Sequence, residues 1–204
     1  MTLYDVFVDF CGQIDFAQPQ RLSTIFESRF FPATATTEIS DPVVINYLQK
    51  TLIPHKVAVY RAGMETLMAC KGQISDADIY QYAVHDLSKF APAEMDIYAH
   101  YFSDKDKAAA MKKVFPLAWH HHKTHNEHHP EHWLSVDRRG NVEALPMPEH
   151  FVMEMVADWK GASIVYGGGM ESWMVKNLPD VLFHPDTKSK LNIVLEKLGY
   201  TVRC

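Results

Sequence analysis

The spacing of apolar residues predicts helices along most of the chain from residue 41 onward. Asp41 and Pro42 form a typical helix start, because Asp caps the first N–H groups and Pro fits the first helical position. Pro54 lacks an N–H group and is predicted to interrupt this helix. A second helix is therefore predicted over about residues 54–70, with Gly72 as its end.

Further helix patterns follow on both sides of a histidine and aspartate pair. Ser75 and Asp78 resemble a capping box, and they open a predicted helix that runs toward Phe90 and includes His85 and Asp86. Successive helical positions differ by about 100°, so these two side chains would reach a common ion only at a shared edge of the helix. Other predicted helices cover residues 91–102, 105–122, 148–166 and 185–199.

Two stretches carry no clear helical pattern. Residues 1–40 alternate weakly, and the Thr/Ala-rich residues 32–40 indicate a loop. Residues 123–147 are polar and contain Pro and Gly, which predicts a long ordered loop. Strand signals are nearly absent and there is no internal repeat. The sequence therefore predicts an all-α protein, with a short N-terminal appendage over residues 1–40 and a helical metal-binding domain over residues 41–204.

Composition and charge narrow the class of protein. With 47% hydrophobic and 22% charged residues, the 204-residue chain can bury an ordinary core, which excludes disordered and collagen-like architectures. The formal charge of −5 and the lack of a Lys/Arg stripe disfavour general nucleic-acid binding. Three widely separated cysteines argue against disulfides and a thiolate metal site. We expect no signal peptide, no membrane span and a cytoplasmic location.

Histidine is the unusual residue in this composition. The chain has 12 histidines, and seven of them lie within thirteen consecutive residues, 120–132. The run is internal, so it is not a terminal purification tag. One interpretation is a metal-buffering loop, but that interpretation leaves Asp86 and Asp158 unexplained.

Several polar residues occupy positions on otherwise apolar helix faces. A buried carboxylate costs several kcal/mol unless it is paired or bound to a metal. Histidine and carboxylate together form the ligand set of divalent Mn, Fe, Co, Ni and Zn. The pattern therefore predicts a site for one or two such ions. The residues that carry this prediction are His55, His85, Asp86, one of His121 or His122, and Asp158.

Two further residues extend the predicted site. Lys89 follows Asp86 by three positions, so its ammonium would lie beside the metal where an anionic group could dock. Glu154 precedes Asp158 by about one helical turn. It is either a helix-surface acid or a hydrogen-bond acceptor for a ligating histidine.

The string HDLSK, with His55 before it and Asp158 after it, resembles the HD-domain superfamily of all-helical metal-dependent phosphohydrolases. That superfamily binds metal through a histidine, a His-Asp pair and a distant aspartate, and forms with additional histidines hold two metals. The resemblance implies an HD-domain-like helical bundle. It also implies His55, His85, Asp86 and Asp158 as core ligands.

Three longer strings, HDLSKF, HHKTHNEHHPEHW and EMVADWKGAS, are similar to a family of uncharacterised bacterial and phage proteins built on the same plan. This resemblance covers about residues 50–165. It implies an added ligand pair, drawn from one of His121 or His122 and one of His128 or His129. The GYP element of the cyclic-dinucleotide phosphodiesterases is missing, so that specificity is not implied.

The resemblance implies hydrolysis of a phosphoester or phosphoanhydride bond in a small molecule, with a nucleotide as the expected substrate class. Asp86 and Lys89 are the predicted catalytic residues: Asp86 would orient a metal-activated water, and Lys89 would stabilise the phosphate. A di-iron oxygenase on the same ligands is the alternative, because the inositol oxygenase branch shares this ligand plan. A metal-stabilised binding module without turnover is a third possibility.

Overall fold

The computed structural model describes residues 1–30 and 36–204, and this part of the chain is mostly helical. Two short strands, β1 (Leu134–Val136) and β2 (Val142–Ala144), form an antiparallel hairpin. The predicted all-α class is confirmed. The helices are α1 (Leu3–Gln13), α2 (Pro19–Arg29), α3 (Pro42–Tyr47), α4 (Ile53–Lys71), α5 (Asp76–Val84), α6 (Met95–Ser103), α7 (Lys105–His125), α8 (Glu149–Tyr166), α9 (Met170–Asn177) and α10 (Pro185–Lys197).

The chain divides into two compact units. Unit 1 comprises Met1–Val57 and Ala83–Asn126, and unit 2 comprises Ala58–Tyr82 and Glu127–Cys204. The division predicted from the sequence, with an appendage over residues 1–40 and a domain over residues 41–204, stays a prediction. Within the described residues, no helix has both the length and the apolar character that crossing a membrane requires.

The N-terminal region forms two helices that the sequence pattern did not reveal. A capping box starts α1, in which the Thr2 hydroxyl accepts the Asp5 N–H and the Asp5 carboxylate accepts the Thr2 N–H. Phe7 on this helix packs edge-on against Phe26 of α2 and against Phe90, with ring centroids 5.7 and 5.1 Å apart. These helices contribute to the core of unit 1. Of the predicted loop, residues 32–35 lie outside the described part of the chain.

The predicted break at Pro54 is a π-helical segment instead. Residues Leu48–Leu52 follow α3 directly, and the Ile53 N–H donates to the Leu48 carbonyl, five residues earlier. Proline removes one intrahelical donor and crowds the preceding turn, and the wider π turn accommodates both effects. The helical path therefore continues into α4, whose third residue is His55.

Helices α4 and α8 approach each other closely within unit 2. A Cβ atom placed on Gly161 of α8 would lie 2.7 Å from the backbone nitrogen of Val59, so only glycine fits at this contact. The buried apolar residues of α8 and α10 belong to the same core cluster. The capping box predicted at the start of α5 is present, because the Asp78 N–H donates to Ser75 and the Ser75 N–H donates to Asp78.

The predicted loop over residues 123–147 is only partly a loop. Helix α7 continues to His125, and the hairpin of β1 and β2 occupies the second half of the stretch. Its turn forms because the Asp137 carboxylate accepts the Asn141 N–H at 2.9 Å and Gly140 adopts a φ of +83°. Two strands of three residues are too short for alternation to reveal them.

Candidate metal centre

The His85 and Asp86 pair lies in a turn, not on a helix. Helix α5 ends at Val84, Asp86 has the left-handed backbone angles φ 55° and ψ 26°, and a 3-10 helix follows over Leu87–Phe90. A left-handed residue cannot continue a right-handed helix, and Asp is one of the few residues that tolerates this conformation. The prediction of a helix through this pair is therefore wrong. The turn brings His85 Nε2 to 3.3 Å from Asp86 Oδ2.

A buried lysine supports this turn. The side chain of Lys56, which is 1% exposed, donates from Nζ to the carbonyl oxygens of Ala83 and His85. These carbonyl groups lie at the C-terminal end of α5, where the helix dipole favours a positive charge. The Nζ atom also lies 4.7 Å from the ring centroid of Phe10. Sequence reasoning missed Lys56, since one lysine in a helical pattern gives no sign of burial.

Three imidazoles meet at the Asp86 carboxylate. The Nε2 atoms of His55 and His85 each lie 3.3 Å from Asp86 Oδ2, and His122 Nε2 lies 3.5 Å from Oδ1. All four residues are buried, with at most 2% of each exposed. Ligand atoms of His55, His85 and Asp86 lie within 4.8 Å of one another, which is a spacing that a single metal ion can bridge.

The Asp86 carboxylate is held in its ionised form by its surroundings. Burial by itself raises its pKa, but His85, Lys89 and His122 outweigh burial and hold the pKa well below its usual range. Lys89 Nζ lies 2.5 Å from Asp86 Oδ2, and its side chain is 17% exposed. The Lys89 ammonium therefore lies beside this carboxylate, and its place beside a bound metal stays a prediction.

Glu94 is a buried acid beside the same cluster that sequence reasoning did not select. It immediately precedes α6 and is completely buried. Its Oε1 lies 2.6 Å from His121 Nδ1, and its Oε2 lies 2.9 Å from His122 Nδ1. Burial raises the pKa of Glu94 to about 8, while a hydrogen bond from Ser88 acts in the opposite direction. The sequence signal would have been a glutamate eight residues after the pair, which is weak by itself.

The two candidate histidines of α7 have different surroundings. His122 is buried and directs Nε2 toward Asp86. His121 has a side chain that is 23% exposed, and its ring stacks on His125 with centroids 4.0 Å apart. Consecutive helical positions point about 100° apart, so only one of the pair reaches the carboxylate. The structure brings His122, rather than His121, to Asp86.

In unit 2 a second histidine is held between two carboxylates. His128 is buried, its Nδ1 lies 3.3 Å from Glu154 Oε1, and its Nε2 lies 4.0 Å from Asp158 Oδ2. Glu154 also accepts a hydrogen bond of 2.7 Å from Gln81. Of the two interpretations of Glu154, the geometry matches an acceptor for a histidine. His129 is half-buried, with a ligand atom within 4.8 Å of one on His128.

The predicted ligands are therefore distributed over both units. Lys89 lies beside the unit 1 group. The resemblance predicts that the ligands in unit 1 and those in unit 2 bind one metal centre, and this stays a prediction. Unit 1 holds His55, His85, Asp86 and His122, and unit 2 holds His128, His129 and Asp158.

Buried histidines around carboxylates define an all-α protein with a candidate site for a divalent metal. The sequence pattern of a family of unknown function, DUF5662, matches residues 45–197 of this chain, which is about three quarters of its length. The chain therefore belongs to this family. The matched segment includes every predicted site residue from His55 to Asp158. No curated protein and no solved structure matches the chain.

Proposed function

We propose that this protein is a metal-dependent phosphohydrolase that acts on a small phosphorylated molecule, with nucleotides as the first substrate class. The observation that supports it best is the convergence of three imidazole Nε2 atoms on the buried Asp86 carboxylate, with the Lys89 ammonium beside them. The resemblance of the HDLSK string to the HD-domain superfamily supports the same function.

The donor set fits a divalent transition metal. Imidazole nitrogen and carboxylate oxygen are the ligands that Mn, Fe, Co, Ni and Zn accept. His55, His85 and Asp86 would hold the ion, and His122 directs its Nε2 to the same carboxylate. When bound, such an ion lowers the pKa of a water molecule and neutralises negative charge on phosphoryl oxygens.

The chain's own residues supply positioning and charge for hydrolysis. The ionised Asp86 accepts a hydrogen bond from the attacking water and so orients it. The Lys89 ammonium, which is partly exposed, is accessible to an anionic group from solvent and stabilises the phosphoryl oxygens. In the reaction, water oxygen bonds to phosphorus, the bond to the leaving oxygen breaks, and the leaving group takes up a proton.

The experiment that tests this proposal is a phosphate-release assay on nucleoside mono-, di- and triphosphates with added Mn²⁺, Fe²⁺, Co²⁺ or Ni²⁺. We expect release with at least one metal, and loss of both metal binding and release in Asp86→Ala with unchanged helical content by circular dichroism. The matched control is Asp96→Ala, which removes an exposed carboxylate of α6 and should behave as the wild type.

Other outcomes would point to other functions. Phosphate release by Asp86→Ala at the native rate would refute the mechanism. Oxygen consumption with iron, without phosphate release, would favour a di-iron oxygenase on the same residues. If no substrate turns over and chelation only lowers the melting temperature, the protein is a metal-stabilised binding module.

A further inference from the structure

We infer that Glu94 is a positioning residue for the metal centre, which accepts the Nδ1 hydrogen of His122 and thereby leaves the Nε2 lone pair of His122 facing Asp86. This inference rests on the proposed metal site and adds a residue to it. The observations are the 2.9 Å contact from Glu94 Oε2 to His122 Nδ1 and the 3.5 Å distance from His122 Nε2 to Asp86 Oδ1. Both carboxylates and the imidazole are buried.

The neighbours of His122 Nδ1 leave Glu94 as its acceptor. Asn126 Nδ2 lies 3.2 Å from Nδ1, but an amide has two hydrogens, and shorter contacts of 2.7 Å to Ser88 Oγ and to the His122 carbonyl use them. Ser88 Oγ lies 3.3 Å from Nδ1, while its hydroxyl also hydrogen-bonds Glu94. The shortest contact of Nδ1 is therefore the one to a group that only accepts hydrogen when ionised.

The position of this hydrogen decides whether His122 can bind a metal. A neutral imidazole carries one N–H, and only the other nitrogen has a lone pair to donate to an ion. Histidine ligands commonly donate their second N–H to a carboxylate, which fixes both the tautomer and the ring orientation. Glu94 occupies this place for His122.

Glu94 also gives a role to one of the surplus histidines. Its other oxygen lies 2.6 Å from His121 Nδ1, so one carboxylate serves two consecutive imidazoles of α7. Because Glu94 is completely buried, its lone pairs must be satisfied by protein donors. His121 is in this view a support for Glu94 and does not bind the metal.

The first test is the tautomer of His122 in metal-free wild-type protein, measured by two-dimensional ¹⁵N–¹H NMR of the imidazole rings. Spectra are recorded well above a pH of about 6.5, the ordinary pKa of a histidine side chain, so that the ring carries a single hydrogen. We expect His122 to carry its hydrogen on Nδ1. A hydrogen on Nε2 would overturn the inference. This readout needs neither metal nor catalytic activity, so it remains decisive if the proposed hydrolase function fails.

The second test is Mn²⁺ affinity by titration calorimetry. Glu94→Leu removes the acceptor and should weaken binding about 10- to 100-fold, the usual cost of losing a carboxylate behind a histidine ligand. Glu94→Gln retains one carbonyl acceptor and should fall between Glu94→Leu and the wild type. The control His120→Ala, which removes an exposed histidine of the same helix, should keep the His122 tautomer and bind Mn²⁺ close to the wild-type affinity.

Two results would overturn the inference at this stage. One is wild-type affinity in Glu94→Leu, with the His122 tautomer unchanged. The other is a loss in His120→Ala as large as that in Glu94→Leu. If Glu94→Leu does not fold, the wild-type tautomer and the Glu94→Gln titration decide. Metal binding without phosphate release would refute the proposed hydrolase function and leave the role of Glu94 standing.

Discussion

Each unit contains a glutamate, a histidine and an aspartate in contact one after another, but the surroundings of these three side chains differ between the units. In each unit a glutamate faces Nδ1 of a histidine whose Nε2 faces an aspartate: Glu94, His122 and Asp86 in unit 1, and Glu154, His128 and Asp158 in unit 2. The contacts of unit 1 measure 2.9 and 3.5 Å, and those of unit 2 measure 3.3 and 4.0 Å. The arrangement is closer in unit 1.

The difference lies in what else reaches the aspartate. The side chain of Asp86 is 1% exposed. Besides His122, it faces three further residues, His55, His85 and Lys89. Asp158 has a side chain that is 16% exposed. Unit 1 therefore has three imidazoles and a carboxylate at one point, which is enough to bind a divalent ion. We expect the residues of unit 1 to contribute more to the metal affinity than those of unit 2.

The largest expected effect is the loss of metal affinity when the charge of Asp86 is removed, compared with the same change at Asp158. Asp86→Asn should weaken Mn²⁺ binding by more than about 100-fold, because it removes an ionised ligand that three imidazoles face. Asp158→Asn should have a smaller effect. Calorimetric titration of both variants measures the difference, and equal losses would contradict the greater weight we give to unit 1.

A second comparison concerns two lysines that bind carbonyl oxygens. Lys56→Met should cost about 2–3 kcal/mol of unfolding free energy, since it leaves the carbonyls of Ala83 and His85 buried without this donor. In unit 2, Lys190 donates to the Met147 carbonyl at 3.0 Å but is partly exposed. Lys190→Met should cost less than about 1 kcal/mol. Urea denaturation measures the unfolding free energy of both variants. If Lys56→Met loses less unfolding free energy than Lys190→Met, the buried Lys56 side chain does not support the turn.

Two helical glycines should respond oppositely to alanine. Gly161→Ala should destabilise the protein by about 1–3 kcal/mol, because the added Cβ would meet the Val59 backbone. Gly12 in α1 has no atom within 4 Å of such a Cβ. Gly12→Ala should therefore stabilise by about 0.5–1 kcal/mol through helix propensity. Thermal unfolding of the two variants gives the sign of each stability change. A destabilising Gly12→Ala would mean that the position of Gly12 in unit 1 also lacks room for a Cβ atom.

The smallest effects are expected at the two capping boxes. Burial alone would raise the pKa of Asp78, but Lys71 and Ser75 lower it from 3.8 to about 2. Its stabilisation is therefore present above pH 3.8 and is lost as the pH falls through about 2. Asp78→Ala should cost about 1 kcal/mol at neutral pH. Asp5→Ala, at an exposed box, should cost less, and unfolding of both variants and the wild type at pH 7 and at about pH 2 tests these expectations.

Local sequence signals identified much of the fold. The capping box at Ser75 and Asp78, the helix stop at Gly72 and the start of α8 after Pro148 follow from interactions within a few residues, so they were predictable. Helix α1 was missed, although Leu3, Phe7 and Phe10 lie at helical spacing. Its amphipathic pattern is short, and its burial depends on residues distant in sequence.

The candidate site was predictable by residue type more than by role. His55, His85 and Asp86 were selected because polar residues at apolar positions need a partner, and the structure places them together. Sequence spacing could not separate His121 from His122, because both follow the apolar row of α7. Lys56 gave no signal and Glu94 only a weak one, since burial of a charged side chain depends on contacts from other elements.

The sequence by itself determined the all-α class, the bounds of several helices and the set of residue types that can bind a metal, because these depend on local hydrogen bonding and on side-chain chemistry. Only the tertiary structure decided which atoms meet. The left-handed Asp86 directs both members of the pair to one point, and Glu94 faces Nδ1 of His122. Such contacts join residues far apart in the chain, and their geometry is fixed by packing.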